Sequence, residues 1–258
     1  QYYLGKLQDD RFYPEFHSRL SWPWGTLAGP SSMLDGQGRR IYFDWIREYR
    51  GSDRERESGW SGVMTLPRVL SLADDGTLRI EPAPELEALR MNHRAHKEMR
   101  VGPDSELALS DVRGDCLELA VNVKPETARE FGVKVRSSPN GEEETVISLD
   151  VSAGTLKVDV TKSSLDEEIR FEPFRGDQPV ERLPEEKQRR RAQEAPFELA
   201  PGEKLSLRLF LDRSVLEVFA NERQCLVQRM YPTRSDSVGV RLFSRGGGAT
   251  VESLRAWD

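Results

Sequence analysis

The feature that most limits what this chain can fold into is its punctuation. Short apolar runs are closed off by Gly, Pro, Asn or Asp, and the 3.6-residue periodicity of a helix is nearly absent. Residues 39–48, RRIYFDWIRE, show the unit. Ile41, Phe43 and Trp45 fall on one face of a strand, and Tyr42, Asp44 and Ile46 fall on the other. The Asp-Gly turn in LDGQGRR precedes it, and residues 62–72 and 77–81 read as two further strands joined by ADDG. After residue 100, strand-like segments recur to the end: 107–109, 116–123, 131–137, 145–150, 155–160, 205–211, 215–220, 224–231, 238–243 and 249–257. Leu205, Leu207, Leu209 and Leu211 alternate with Ser206, Arg208 and Phe210, which gives one face to a core. Even spacing with turn signals predicts a β-sandwich.

Two stretches break the rhythm. EPAPELEALRMNHRAHKEMR, from Glu81 to Arg100, carries two prolines and then Glu- and Arg-rich sequence, and reads as a linker with a helical turn or two. Residues 175–196, RGDQPVERLPEEKQRRRAQEAP, read as a charged surface loop. There is no internal repeat.

With 258 residues the chain is long enough for one large domain or two ordinary ones. A net charge of -6 gives no overall attraction for nucleic acid or anionic membranes. No apolar run approaches the roughly 18–20 residues that span a bilayer. The opening QYYLGKLQDD lacks the basic start and apolar centre of a signal peptide, which tilts the reading slightly toward the cytoplasm and otherwise leaves the compartment open. Cys116 and Cys225 have no metal-ligand spacing, and two buried free thiols on separate strands are expected, a disulfide requiring that the fold bring them together.

The chemistry-bearing motifs each have a simpler reading beside them. Arg189–Arg191 could be a nucleic-acid patch, but Glu185, Glu186 and Glu194 surround it and no aromatic residues interleave, so a solvated loop is expected. His93 and His96, with His17 far away, lack a third ligand and read as exposed linker histidines; no metal is expected. Asp212 and Glu217 in FLDRSVLEVFAN could be a glycosidase pair, yet a strand–turn–strand run need not bring them into one cleft, and a structural role is favoured. LSWPWGTLAGPSS places Trp22 and Trp24 among glycines and prolines, where indole faces can stack on sugar rings or simply fill a gap between sheets.

Longer stretches carry a resemblance. YYLGKL…FYPE, LDGQGRRIYFDWIRE and GWSGVMTLPRVLSL…DGTL resemble the later propeller blades of glycoside hydrolase family 32, the β-fructofuranosidases, a family that includes invertases, sucrose-6-phosphate hydrolases, inulinases and levanases. LRLFLDRSVLEVFANERQCLVQRMYPTRSD and VESLRAWD are similar to that family's C-terminal β-sandwich. The resemblance implies a five-bladed β-propeller followed by a sandwich, hydrolysis of β-fructosidic bonds in sucrose or fructans, no cofactor and no metal. It also implies a retaining pair, an Asp nucleophile in N-D-P-N-G and a Glu acid in E-C, with a second Asp in R-D-P. None of these three motifs occurs in the 258 residues, so no catalytic residue is assigned. In the family, the Trp that aligns with Trp45 lines the fructose pocket, which makes Trp45, with Trp24 and Trp22, the expected sugar-contacting set. The chain departs from the family at Ala28-Gly29, where an aromatic-Ala pair is usual, and at Asp44, where Gly is usual. Alternation points Asp44 away from Trp45, so it is not read as a replacement nucleophile.

The expected architecture is therefore all-β: an incomplete propeller over 1–85, a linker over 86–99 and a β-sandwich over 100–258. A four-stranded blade takes about 40–50 residues, so residues 1–82 supply about two, and a ring of five cannot close on them. The bare edges and apolar face need cover. Three readings follow: an inactive, self-associating portion of a glycosidase; one half of a split enzyme completed by an N-terminal partner; or a carbohydrate-binding or assembly module.

Overall fold

The computed structural model describes residues 1–48, 50, 52–169 and 192–258. Every strand pairing among them is antiparallel, as expected where turns follow each short apolar run. A hairpin comes first: β1 (Tyr2–Gln8) and β2 (Arg11–Ser18) pair only with each other. Its two turn residues, Asp9 and Asp10, have φ of 50° and 58°, the left-handed geometry of a tight hairpin connection.

A five-stranded sheet follows, built from β3 (Leu27–Leu34), β4 (Arg40–Ile46), β5 (Val63–Met64), β6 (Arg68–Leu72) and β7 (Leu78–Pro82), with helix α1 (Ser52–Ser58) between β4 and β5. Its turns are made as the sequence implies. Asp35 accepts hydrogen bonds from the backbone N–H groups of Gln37 and Arg39, and Asp75 accepts from the N–H and hydroxyl of Thr77. The single strand expected over 62–72 is two strands instead. Between them the Thr65 N–H bonds to the Asp44 carbonyl, the Leu66 N–H leaves the ladder for the Glu217 carboxylate, and Pro67 has no N–H to give.

The rest is a sandwich of two six-stranded sheets. One runs, in spatial order, β17 (Gln224–Arg229), β16 (Val215–Ala220), β15 (Leu205–Asp212), β10 (Cys116–Lys124), β19 (Ala249–Trp257), β8 (Arg94–Val101). The other runs β14 (Ala192–Pro196), β13 (Thr155–Asp159), β12 (Thr145–Asp150), β11 (Glu130–Ser137), β18 (Gly239–Arg245), β9 (Ser105–Arg113). The leucine alternation over 205–211 meets Leu117, Leu119, Val121 and Val123 of β10 in the core between the sheets.

The connector over 86–99 is shorter than expected. A 3-10 turn spans Pro84–Leu89, but from Arg94 the chain is already β8, paired with β19 in the sandwich. RAHKEMRV shows little apolar alternation because an edge strand can be held by its backbone ladder alone. His96 therefore lies in a strand, 3.1 Å from Asp111, and His93 stacks on Trp257; no group of three metal-ligating side chains exists among the described residues. The charged insertion ends in β14, whose Gln193 and Ala195 are buried; its earlier part and Arg189–Arg191 lie outside the described residues. Both cysteines are free, but only Cys225 is buried. Cys116 is exposed, at the end of β10 opposite Asp212.

Candidate functional site

The five-stranded sheet packs on β16 and β17, and alternation decides which residues meet there. Leu216, Val218, Ala220 and Leu226 point into the sandwich core. Val215, Phe219, Cys225 and Val227 point the other way, against Ile46 and Ile80. This is why β16 and β17 are buried along their whole length: one face serves the sandwich and the other serves the neighbouring sheet.

Charged residues sit in the same alternating rows. Glu217, between Val215 and Phe219, receives Arg68 Nη2 at 2.6 Å and the Leu66 N–H at 2.7 Å. Arg68 and Glu217 are 1% and 2% exposed, so the pair is fully withdrawn from water. Arg229, the next outward residue after Val227, donates to Glu48 at 2.6 Å, and the Tyr231 hydroxyl donates to the same carboxylate at 2.5 Å. Arg50 adds two further contacts to Glu48 and lies over the rings of Trp60 and Tyr231. Burial alone would raise the Glu48 pKa, but hydrogen bonds from Arg50 and Tyr231 and the charges of Arg229 and Arg50 pull it down to about 2. Asp44 is buried, accepts the Tyr42 hydroxyl at 2.5 Å and bonds the Trp45 N–H at 3.0 Å. Burial, then Asp44, pushes the Tyr42 phenol up.

Five carboxylates are buried among the described residues: Asp44, Glu48, Glu118, Glu143 and Glu217. Glu118 is clasped by Arg90 and Arg208. Glu143 accepts from Leu165, Thr233, Arg234 and Ser237. All five are engaged as acceptors, which suits a joint. One described carboxyl, Glu81 on β7, is raised, by burial and then by Glu222, whose own carboxylate is paired with Arg79. Asp212 and Glu217 do not converge. Asp212 is exposed at the turn between β15 and β16, while Glu217 is locked to Arg68.

The three tryptophans divide. Trp22 is half-buried against the sandwich core, its Nε1 donating to Gln224 Oε1 at 3.0 Å. Trp24 has φ of 67°, and its carbonyl accepts from Gln228 Nε2 at 2.7 Å. Trp45 is 43% exposed on the face of β4 turned away from the sandwich. Its indole is seated on Gly62: a Cβ there would stand 1.9 Å from Trp45 Nε1, and φ of +71° independently demands glycine. Asp44 lies on the opposite face, as alternation requires.

The sequence reading missed Glu48, Arg68, Arg229 and Tyr231 as a group. A signal was present: in VLEVFA and CLVQRM, charged residues stand in runs apolar on both faces, which marks burial on both sides.

Residues 85–258 match the family model described as glycosyl hydrolases family 32 C terminal, and residues 1–82 match its N-terminal domain model. A levanase of Bacillus subtilis (strain 168) is 29% identical over 247 residues, covering 93% of this chain and 32% of the levanase. A fructan 1-exohydrolase of Leymus chinensis is 29% identical over 299 residues, covering 97% of this chain and 47% of that protein. The chain thus spans from 32% to 47% of the length of these curated relatives. Among solved structures, fructan 1-exohydrolase IIa from Cichorium intybus superposes with a TM-score of 0.82 at 18% identity, over 99% of this chain and 54% of that one. Exo-inulinase from Aspergillus awamori gives 0.72 at 20% identity, over 100% of this chain and 48% of that one.

Proposed function

The chain belongs to glycoside hydrolase family 32, and from that premise we propose that it is the fructan-binding C-terminal portion of a β-fructosidase, without hydrolytic activity of its own. The hairpin and five-stranded sheet act as propeller blades, and the sandwich is their support. The observation that carries the reading is the state of the carboxylates. A retaining glycosidase needs two carboxyl groups about 5–5.5 Å apart, one of them free to give up a proton. Here the buried ones are spent on guanidinium, phenol and backbone N–H partners, and the N-D-P-N-G, R-D-P and E-C motifs are absent from these residues.

Trp45 supplies the sugar contact. Its exposed indole, fixed over Gly62, offers an apolar face of the kind that stacks on a fructose ring. A solved relative, a variant of fructan 1-exohydrolase IIa from Cichorium intybus, is described in complex with 1-kestose, so that trisaccharide is the ligand of choice. No cofactor or metal takes part. The apolar residues left outside on the hairpin and on β3, among them Tyr3, Leu7, Phe12, Phe16, Met33 and Leu34, support self-association as the means of covering them.

The test has three readouts on the purified chain. Tryptophan fluorescence titrated with 1-kestose should saturate, and Trp45→Ala should abolish the change. Sucrose and inulin should not be hydrolysed above background. Light scattering should give a mass above 29.4 kDa. Ordinary turnover of sucrose by the isolated chain overturns the catalytic part, and an unchanged titration in Trp45→Ala overturns the sugar contact. If an N-terminal β-fructosidase fragment restores turnover, the chain is half of a split enzyme, and self-association is replaced by that partner.

A further inference from the structure

A cleft of about 300 Å³ opens where the N-terminal region meets the sandwich. That volume lies at the low end of ligand pockets, which run to about 1,000 Å³. Four arginines line it: Arg50 and Arg54 from the N-terminal side, Arg136 from β11, and Arg213 from the turn between β15 and β16. Ser214, Tyr231, Thr233 and Asp166 complete the polar wall; Thr233 donates its N–H and hydroxyl to Glu143, and Asp166 is paired with Arg54. Two of the guanidinium groups are already spent. Arg50 holds Glu48, and Arg54 holds Asp166 and Glu168.

Arg136 is different. The residue is 9% exposed, yet its Nε and Nη1 have no hydrogen-bond partner. The nearest carboxylate, Asp115, stands 3.8 Å from Nη1, beyond hydrogen-bond reach. Its backbone is also unusual, with φ of 48° where the β11–β18 register slips between Lys134 and Ser137. Such a bulge re-aims a side chain, and a left-handed backbone at a non-glycine residue is strained. A charge withdrawn from water without a hydrogen-bonded counter-ion is costly, and burial accordingly pulls the Arg136 pKa down from its ordinary value. Arg213 reaches the same cleft from an exposed turn, also at positive φ (51°), and its backbone N–H is fixed on the Asp115 carbonyl.

We propose that this cleft binds a phosphate-type oxyanion, either free phosphate or the phosphate ester of a small sugar, with Arg136 as the buried anchor and Arg213 and Ser214 closing around it. A guanidinium matches the planar spacing of phosphate oxygens and binds them through charge-assisted hydrogen bonds. Because the wall comes from both parts of the chain, the bound anion ties the N-terminal region to the sandwich. The inference stands apart from the fructoside reading: it uses neither Trp45 nor any glycosidic chemistry.

The test is a thermal-shift and calorimetric titration of the full chain with inorganic phosphate, against sodium chloride at matched ionic strength. Phosphate should raise the Tm saturably, as expected of a ligand that binds only the folded state, and chloride should not. Arg136→Met should weaken binding by about tenfold or more, the loss expected for a hydrogen bond to a charged group. It should leave the fold intact, since it removes a buried charge that lacks hydrogen-bond partners. Should that variant fail to fold, Arg213→Ala at the exposed turn should still weaken binding several-fold. Fructose 6-phosphate binding tighter than phosphate assigns a sugar ester; equal affinities assign free phosphate. A response to fructose alone belongs to Trp45. A phosphate effect no larger than that of chloride, or one unchanged in both variants, overturns the proposal.

Discussion

The first 72 residues and the sandwich are both antiparallel β-structure, yet they treat apolar side chains in opposite ways. Of the sixteen large hydrophobic residues that are exposed among those described, eleven fall between Tyr3 and Leu72, and only Leu107, Val151 and Leu165 lie in the body of the sandwich. The sandwich sheets cover each other, so Leu119, Ile147, Leu207 and Leu209 are wholly buried. The hairpin and the five-stranded sheet have a cover on one side at most, β16 and β17, and their other faces leave large apolar side chains in the open. Sequence pattern encodes a sheet's inward face, but the object that face meets can belong to another element or another molecule.

The comparison breaks most sharply at the joint. Glu217→Ala leaves Arg68 buried without a partner and orphans the Leu66 N–H, and should destabilise the chain by about 3–5 kcal/mol in urea unfolding. If the cost is below about 1 kcal/mol, the two regions are not one cooperative unit. Next, Leu209→Ala in the sandwich should cost about 2–5 kcal/mol. Leu7→Ala, at 73% exposure, should cost under about 0.5 kcal/mol and should instead lower the mass seen in light scattering. Equal costs would mean that the hairpin is packed in solution as tightly as the core.

Acid should strike the joint too. Glu48 has its pKa depressed to about 2, so its contribution is complete above its ordinary value near 4.5 and is lost as pH falls through about 2. The depression corresponds to about 3 kcal/mol. Stability should therefore be flat in this respect above pH 5 and decline below it, and Glu48→Gln should remove that part of the slope. The mildest probe is thiol labelling. Burial pushes the Cys225 thiol up to about 12, while Cys116 is exposed. At pH 8 the native chain should label one thiol quickly and the other only after unfolding or after Ile46→Ala loosens the covering sheet. Two fast thiols would show that the sheet does not seat on β17.

The sequence discloses the sandwich well because its code is local. The four alternating leucines of β15 depend on nothing distant, and neither do the Asp-Gly and Asp-Asp-Gly turns of the five-stranded sheet, which are legible for the same reason. It hides β8 and β14, which are edge strands held by backbone pairing and carry charged or mixed side chains. It hides the joint for another reason. Glu48, Arg68, Glu217 and Arg229 are scattered over the chain; the runs around Glu217 and Arg229 mark those two as buried but not what they pair with, and only the packing of β4 and β6 on β16 and β17 makes the four a network. The face of β4 that carries Trp45 is legible from alternation, and the Gly62 seat beneath its indole is not. Arg136 left no trace, because its burial follows from a bulge.

The treatment of β17 carries a last consequence. As the outermost strand of its sheet it should invite another chain to add alongside, but its rim is already engaged: the Thr26 hydroxyl bonds the Val227 carbonyl, and the Gln224 and Gln228 side chains clasp the Trp22 indole and the Trp24 carbonyl. Growth into filaments by strand addition is closed off on that flank. A strand added to this molecule would have to take another edge, such as β8, β9 or β14.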